Sequence, residues 1–263
     1  MTARASRIKF DVNKIFPLND PLSVPLLRLM IATDDARHLQ KLMMMAPDVI
    51  NQENKTERAI FEGEMGHLFR LLCGHLYEAR AAFRSIDSNQ SSIRLDKAVA
   101  DSEQAKKALK HIREAYDPNE EGAFGQSFLE PIRHYVGFHY KDEKVRETLA
   151  KYKDSELLDG TLALVEFSGL GRYTVTDSLV KLVIADALGE DVVTSVQKFE
   201  KLMGEAIKLA GDLAEVVDHL LIHLFDLHPE MNVEKDKDVV IVPASLQQAR
   251  EENAAERRED RRP

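Results

Sequence analysis

Apolar residues recur at three- and four-residue spacing along most of this chain, a pattern typical of amphipathic α-helices. The pattern is continuous from about residue 55 to 86, and it returns from about residue 191 to 228. Between these stretches it predicts a helix at about 92–116, ended by "DPNEEG", and a helix or helix pair at about 125–153. The sequence therefore predicts an all-α protein built as an antiparallel bundle of long helices.

The remaining stretches predict shorter elements. Three prolines interrupt the first 25 residues, so we expect an extended arm there, followed by two short helices at about 23–33 and 35–46. In "TLALVEFSGLGRYTVTD" β-branched and aromatic residues flank two glycines. This pattern predicts a small β-hairpin insertion at about residues 161–176.

These elements divide the chain into four predicted parts. The parts are an N-terminal arm with short helices (1–53), a helical core (54–155), the hairpin with the long C-terminal helix packed on the same bundle (156–243), and a charged tail (244–263). The tail contains five arginines and five acidic residues, so we expect it to be disordered.

Composition agrees with a helical protein in a reducing compartment. The 263 residues are 44% hydrophobic but only 6% aromatic, with no tryptophan, which suits helices packed through aliphatic side chains. The single cysteine, Cys73, excludes an intramolecular disulfide. Because it lies in the apolar stretch "LFRLLCGHL", we expect a buried structural thiol and not a nucleophile.

The formal net charge of −9 limits the classes of partner. An acidic chain does not attract polynucleotides over its whole surface, so any nucleic-acid contact needs a local basic patch. We find no signal-like apolar core near the N-terminus and no apolar stretch long enough to span a bilayer. The expectation is a soluble, cytoplasmic protein without a membrane partner.

One short stretch, "PIRHYVGFHYKDEKV", concentrates residues that suit chemistry on phosphates. Arg133 is followed by the polar His134, then by "YVGF" and His139. At the start of a helix that follows two long ones, this arrangement resembles the HEPN superfamily, whose hallmark is an arginine, a polar residue and a histidine four to six residues after the arginine. The resemblance covers about residues 55–155, nearly all of the predicted helical core.

The resemblance implies a metal-independent endoribonuclease of the toxin or defence type, without a cofactor. Its partners would be RNA, a second copy of the chain in a homodimer, and an antitoxin or other protein. His139 would carry out acid–base catalysis, and Arg133 would stabilise the charge on the phosphoryl oxygens. His134 would position these two residues or the substrate. Lys141 and Lys144 follow closely and are expected to contact the phosphate backbone.

A non-catalytic interpretation of the same motif stays open. On an ideal helix, Arg133 and His139 lie about 120° apart, so they do not share a face of one helix. In the HEPN superfamily, two motifs often meet across a two-fold axis, which would remove this objection. Many relatives are inactive and serve as binding or scaffold modules for proteins or nucleotides. A buried, charge-paired Arg133 away from any cleft would favour such a module.

A metal-binding bundle is the third interpretation. Carboxylates and histidines at helical spacing are typical ligands of transition metals, and a Glu-x-x-His pair is found in di-metal helical bundles. The first long helix has one such pair, and the last helix has a stripe of acids and histidines on one face. The candidate ligands are Glu64, His67, Glu215, His219 and His223.

Overall fold

The computed structural model describes residues 8–45, 55–88, 91–117, 119–120, 123–134, 142–152, 162–163, 172–173, 179–180, 182–184, 192–228 and 234–235. In chain order the elements are β1 (Ile8–Lys9), α1 (Val12–Ile15), α2 (Ser23–Met45), α3 (Lys55–Asp87), α4 (Ser91–Val99), α5 (Glu103–Ala115), a π-helical turn (Gly125–Leu129), α6 (Glu130–Ile132), α7 (Asp142–Tyr152), β2 (Leu162–Ala163), β3 (Arg172–Tyr173), α8 (Val192–Asp226) and β4 (Glu234–Lys235). Helices dominate, so the predicted all-α helical bundle is confirmed. Within the described part, no helix has both the length and the hydropathy needed to cross a membrane.

The chain forms two compact units. The larger unit is residues 18–224, and the smaller one combines residues 1–17 with 225–263. In the smaller unit β1 pairs antiparallel with β4. Asp11 caps α1 by accepting a hydrogen bond from the Asn13 amide at 3.0 Å. The Phe10 ring contacts the ring of Phe16 and, edge-on, that of Phe225, with centroids 6.2 and 5.1 Å apart.

Packing along one face of α3 forms the centre of the larger unit. Phe69, Leu72, Leu76 and Phe83 follow the predicted helical spacing and are at most 2% exposed. Burying each such side chain contributes about 1.5–3 kcal/mol, which explains why the local pattern specifies a helix of this length. Cys73 lies among them and is fully buried, as predicted, and burial raises the pKa of its thiol.

The helix α2 is continuous, so the prediction of two short helices at about 23–33 and 35–46 is wrong. Two ion pairs hold its middle to neighbouring helices. Asp35 pairs with His75 of α3 at 3.3 Å, and Arg37 pairs with Asp218 of α8. Within α2, Thr33 donates a hydrogen bond to the Leu29 carbonyl at 2.7 Å.

The single helix predicted at about 92–116 is also wrong, because α4 ends at Val99 and α5 begins at Glu103. Ser102 is the N-cap, and its hydroxyl accepts a hydrogen bond from the Ala105 amide at 3.2 Å. Ion pairs then hold the two helices and the end of α3 together. Arg113 of α5 contacts Asp96 of α4 at 2.9 Å and Asp87 of α3 at 2.6 Å, and the hydrogen bonds to Asp87 raise the pKa of Arg113.

Two pairs of residues are described in the segment where the hairpin is predicted. Leu162 pairs with Tyr173 and Ala163 with Arg172, in antiparallel register. The residues between these pairs and around them lie outside the described part of the chain, so the hairpin as a whole stays a prediction. The predicted tail, 244–263, also lies outside it.

Candidate functional site

The predicted motif follows a π-helical turn. In this turn the Glu130 amide donates to the Gly125 carbonyl, five residues earlier, in place of the usual four. Single π turns inside helical segments often occur at functional sites. The Phe128 ring lies between the ring of Phe124, at 5.0 Å, and that of Phe69 of α3, at 5.9 Å. The turn is therefore packed directly against α3.

Gly125 permits a close approach that a larger residue would prevent. A Cβ atom at this position would lie 3.0 Å from the Ala115 carbonyl oxygen. It would also lie 3.2 Å from Cδ of Arg80 and 3.2 Å from the ring of Tyr116. The first residue of the π turn is thus enclosed by α3 and the end of α5.

Arg80 of α3 connects the π turn to α6. Its side chain is buried, and Nη1 donates to the Gly125 carbonyl at 3.1 Å and to Glu130 Oε2 at 3.0 Å. The guanidinium also lies 6.0 Å from the centroid of the Tyr77 ring. Its Nε is buried without a hydrogen-bond partner among the described residues. Arg80 therefore fixes where the segment carrying the motif begins.

Arg84, one helical turn further on, holds the end of α5. Its Nη2 and Nε donate to the Tyr116 carbonyl at 2.8 and 3.1 Å. Burial, and then the positive charge of Arg80, lower the pKa of Arg84. The Tyr116 hydroxyl donates in turn to the Leu76 carbonyl at 2.7 Å, and burial raises the pKa of Tyr116.

Arg133 lies against α3 beyond the π turn. Its Nε is 3.7 Å from Oε1 of Glu78, and the two side chains are 22% and 52% exposed. The arginine is therefore mostly buried and is paired with a carboxylate that solvent reaches. Glu78 would therefore compete with a phosphate for Arg133.

His134 is the accessible member of the cluster, with 48% of its side chain exposed. Its Nε2 lies 4.0 Å from Oε1 of Glu130, and its ring meets the ring of Tyr77 edge-on at 6.0 Å. Glu130 thus faces Arg80 through one oxygen and His134 through the other. We therefore expect a substitution of Arg80 to shift the Glu130 carboxylate and, through it, the His134 ring.

The structure brings together two of the three predicted catalytic residues, Arg133 and His134. His139 and Lys141 lie outside the described residues. Lys144 belongs to α7, and its side chain also lies outside the described part. The described cluster combines a cation, an accessible imidazole and two carboxylates, a set that suits both proton exchange and recognition of charged groups.

Sequence reasoning missed Arg80 and Glu130, although one feature pointed to Arg80. It lies four residues after Leu76 and three before Phe83, on the apolar stripe of α3. A charged residue on the buried face of a helix indicates a buried ion pair, because an unpaired charge there is costly. No feature of the sequence around residue 130 identified Glu130 as the partner of Arg80.

The predicted metal ligands do not form a metal site within the described residues. No group of three or more histidines, cysteines or acids there is arranged to hold a metal ion. On α3, Glu64 and His67 are exposed, and His67 Nδ1 lies 3.4 Å from Nη2 of Arg70. On α8, His219 Nε2 pairs with Glu215 at 3.3 Å, and His223 lies one turn further on.

Fold and site together define an all-α helical bundle with an arginine–histidine cluster supported by a π turn. Comparison with protein-family models, curated proteins and solved structures gives no significant match.

Proposed function

We propose that this chain is a metal-independent endoribonuclease of the toxin or defence type. The observation that carries the proposal is the position of Arg133 beside the exposed His134, in one cluster held on α3. His139, the histidine expected to act as acid and base, comes five residues after His134. The type of reaction is inferred from the resemblance of this motif to the HEPN superfamily.

In this reaction the ribose 2′-oxygen forms a bond to the adjacent phosphorus while the bond from phosphorus to the 5′-oxygen breaks. A base takes the proton of the 2′-hydroxyl, and an acid gives one to the leaving 5′-oxygen, so the products are a cyclic phosphate and a 5′-hydroxyl. His139 exchanges protons and Arg133 stabilises the phosphoryl oxygens, while His134 positions the reacting groups. Lys141 and Lys144 bind the flanking phosphates.

Glu78 competes with phosphate for Arg133 in this proposal. Their ion pair involves a half-exposed carboxylate, and such pairs contribute only about 0–1 kcal/mol. A bound phosphate can therefore displace Glu78 at little cost. Replacing Glu78 by glutamine removes the competing charge, so we expect RNA binding that is equal to or tighter than that of the wild type.

The same ion pair favours a second candidate, a non-catalytic helical module that binds a protein or nucleotide partner. A mostly buried arginine in an ion pair with Glu78 can serve a structural role without taking part in catalysis. In that case Arg133 holds the segment after the π turn against α3, and the exposed His134 belongs to a binding surface.

The deciding experiment is cleavage of a mixed RNA pool by purified protein in EDTA, with analysis of the product ends. We expect the wild type to produce cyclic-phosphate ends and Arg133→Ala and His139→Ala to lose activity by about 10²–10³-fold. Arg94→Ala is the matched control, because Arg94 is an exposed arginine in an ion pair on α4, away from the motif in sequence. Undiminished cleavage by His139→Ala would refute the catalytic assignment. Equal inactivity of all folded preparations would support the binding module.

A further inference from the structure

The ring of His134 is supported by two neighbours, although 48% of its side chain is exposed. Its Nε2 lies 4.0 Å from Oε1 of Glu130, and it meets the Tyr77 ring edge-on, with 6.0 Å between the centroids and 68° between the planes. Arg80 contacts both neighbours, because Nη1 donates to Glu130 Oε2 at 3.0 Å and the guanidinium lies 6.0 Å from the Tyr77 centroid. The four side chains therefore form a closed chain of contacts, which the buried Arg80 anchors in the core.

A supported, half-exposed ring next to an arginine matches the two parts of a nucleotide. Unpaired bases of RNA stack on the rings of aromatic residues and histidine, and a guanidinium suits the phosphate. Arg133 is the residue before His134, and both lie in the segment that follows the π turn. Because Tyr77 and Glu130 support the ring before any ligand arrives, less conformational freedom is lost when a base binds.

The charge of the chain makes such a contact useful for binding RNA. The net charge is −9, and α7, which follows the motif, carries three basic and three acidic residues. Neither the whole chain nor this helix therefore offers a strongly basic surface to the phosphate backbone. Stacking supplies affinity through the bases and does not depend on an excess of positive charge.

We propose that the His134 ring is a stacking platform for one unpaired base of the RNA, beside the phosphate that Arg133 contacts. This inference rests on the proposed function for the identity of the ligand, and it specifies how His134 positions the substrate. A stacking platform needs a ring face, whereas proton exchange or a hydrogen bond needs a ring nitrogen. Substitutions that keep only one of these properties therefore separate the two roles.

The first test measures, by fluorescence anisotropy, the affinity for a labelled RNA of mixed sequence and about 12 nucleotides. Every ribose carries a 2′-O-methyl group, so the attacking hydroxyl is blocked and binding is measured without cleavage. His134→Ala should raise the dissociation constant by about 5- to 100-fold, the loss expected for one stacked base. His134→Phe keeps a ring and should bind within about threefold of the wild type, whereas His134→Gln keeps a polar group and should resemble His134→Ala.

His38→Ala is the matched control and should bind like the wild type. His38 is an exposed histidine of α2, and the described residues show no ring contact for it. Three results would overturn the proposal: a His134→Phe protein that binds as weakly as His134→Ala, a His134→Gln protein that binds as well as the wild type, or a wild type that does not bind this RNA.

A strand of abasic sugar-phosphates of the same length separates stacking from contact with the backbone. It keeps the phosphates but has no bases, so the wild type and His134→Ala should bind it with equal, weaker affinity. If His134→Ala loses the same factor of affinity for the abasic strand as for the RNA, the stacking platform is wrong. Cleavage of unmodified RNA is assayed separately. A folded wild type that binds through His134 but cleaves nothing would refute the endoribonuclease and leave the stacking platform standing.

Discussion

Replacing Gly125 by alanine measures how closely the π turn fits against α3 and α5. The added Cβ would lie 3.0 Å from the Ala115 carbonyl oxygen and 3.2 Å from the Tyr116 ring. Neither neighbour moves easily, because one is backbone and the other is a buried ring whose hydroxyl is bonded to Leu76. Overpacking of this kind lowers the free energy of unfolding by about 1–3 kcal/mol, and the higher helix propensity of alanine offsets up to about 1 kcal/mol of that loss. We expect the free energy of unfolding to fall by about 1–2 kcal/mol.

Two glycines with open surroundings provide the control. A Cβ at Gly66 or Gly211 would meet nothing within 4 Å, and both residues lie inside long helices. Alanine at either position should therefore raise the free energy of unfolding by about 0.5–1 kcal/mol. Urea denaturation followed by far-UV circular dichroism compares the three variants with the wild type. A Gly125→Ala protein as stable as the two control variants would refute the close fit inferred at the π turn.

Two further predictions concern stability. Tyr116→Phe removes the hydrogen bond to the buried Leu76 carbonyl and should lower the free energy of unfolding by about 1 kcal/mol. No change on urea denaturation would contradict the importance of that bond. Partial burial alone would raise the pKa of Asp20, but the hydrogen bonds from Arg94 and the Leu22 amide lower it overall. The stability from this pair is therefore complete above about pH 4 and is lost as the pH falls below it. Asp20→Asn should lose less stability than the wild type between about pH 5 and pH 2, and an equal loss would contradict the assignment.

The long helices could be predicted because their pattern is local. The stripe from about 55 to 86 predicted α3 within one residue of each end, and the stripe from about 191 to 228 predicted α8 within two. The boundary proposed inside α2 failed for a tertiary reason. At the predicted boundary Asp35 pairs with His75 on α3, a contact that the sequence around it does not reveal.

The candidate site also contains residues that the sequence predicted and residues that it did not. Arg133 and His134 could be found because they adjoin each other in a short motif. Their neighbours could not, because Arg80 meets Glu130 fifty residues further along the chain. Which side of the motif-bearing segment faces α3 depends on the π turn, and the sequence pattern did not predict an irregular turn in that helical segment.

The π turn also has a consequence for insertions and deletions. It holds one residue more than an α-helical turn, so deleting a single residue between Gly125 and Glu130 would let the segment close as an ordinary α-helix. Every later residue of that segment would then rotate by about 100° about its axis, and Arg133 would turn away from Glu78. A related chain lacking this one residue would keep the arginine and both histidines in their order, while Arg133 and His134 would lose their placement against α3. The number of residues from Gly125 to Arg133 is therefore as informative in an alignment as the spacing within the motif.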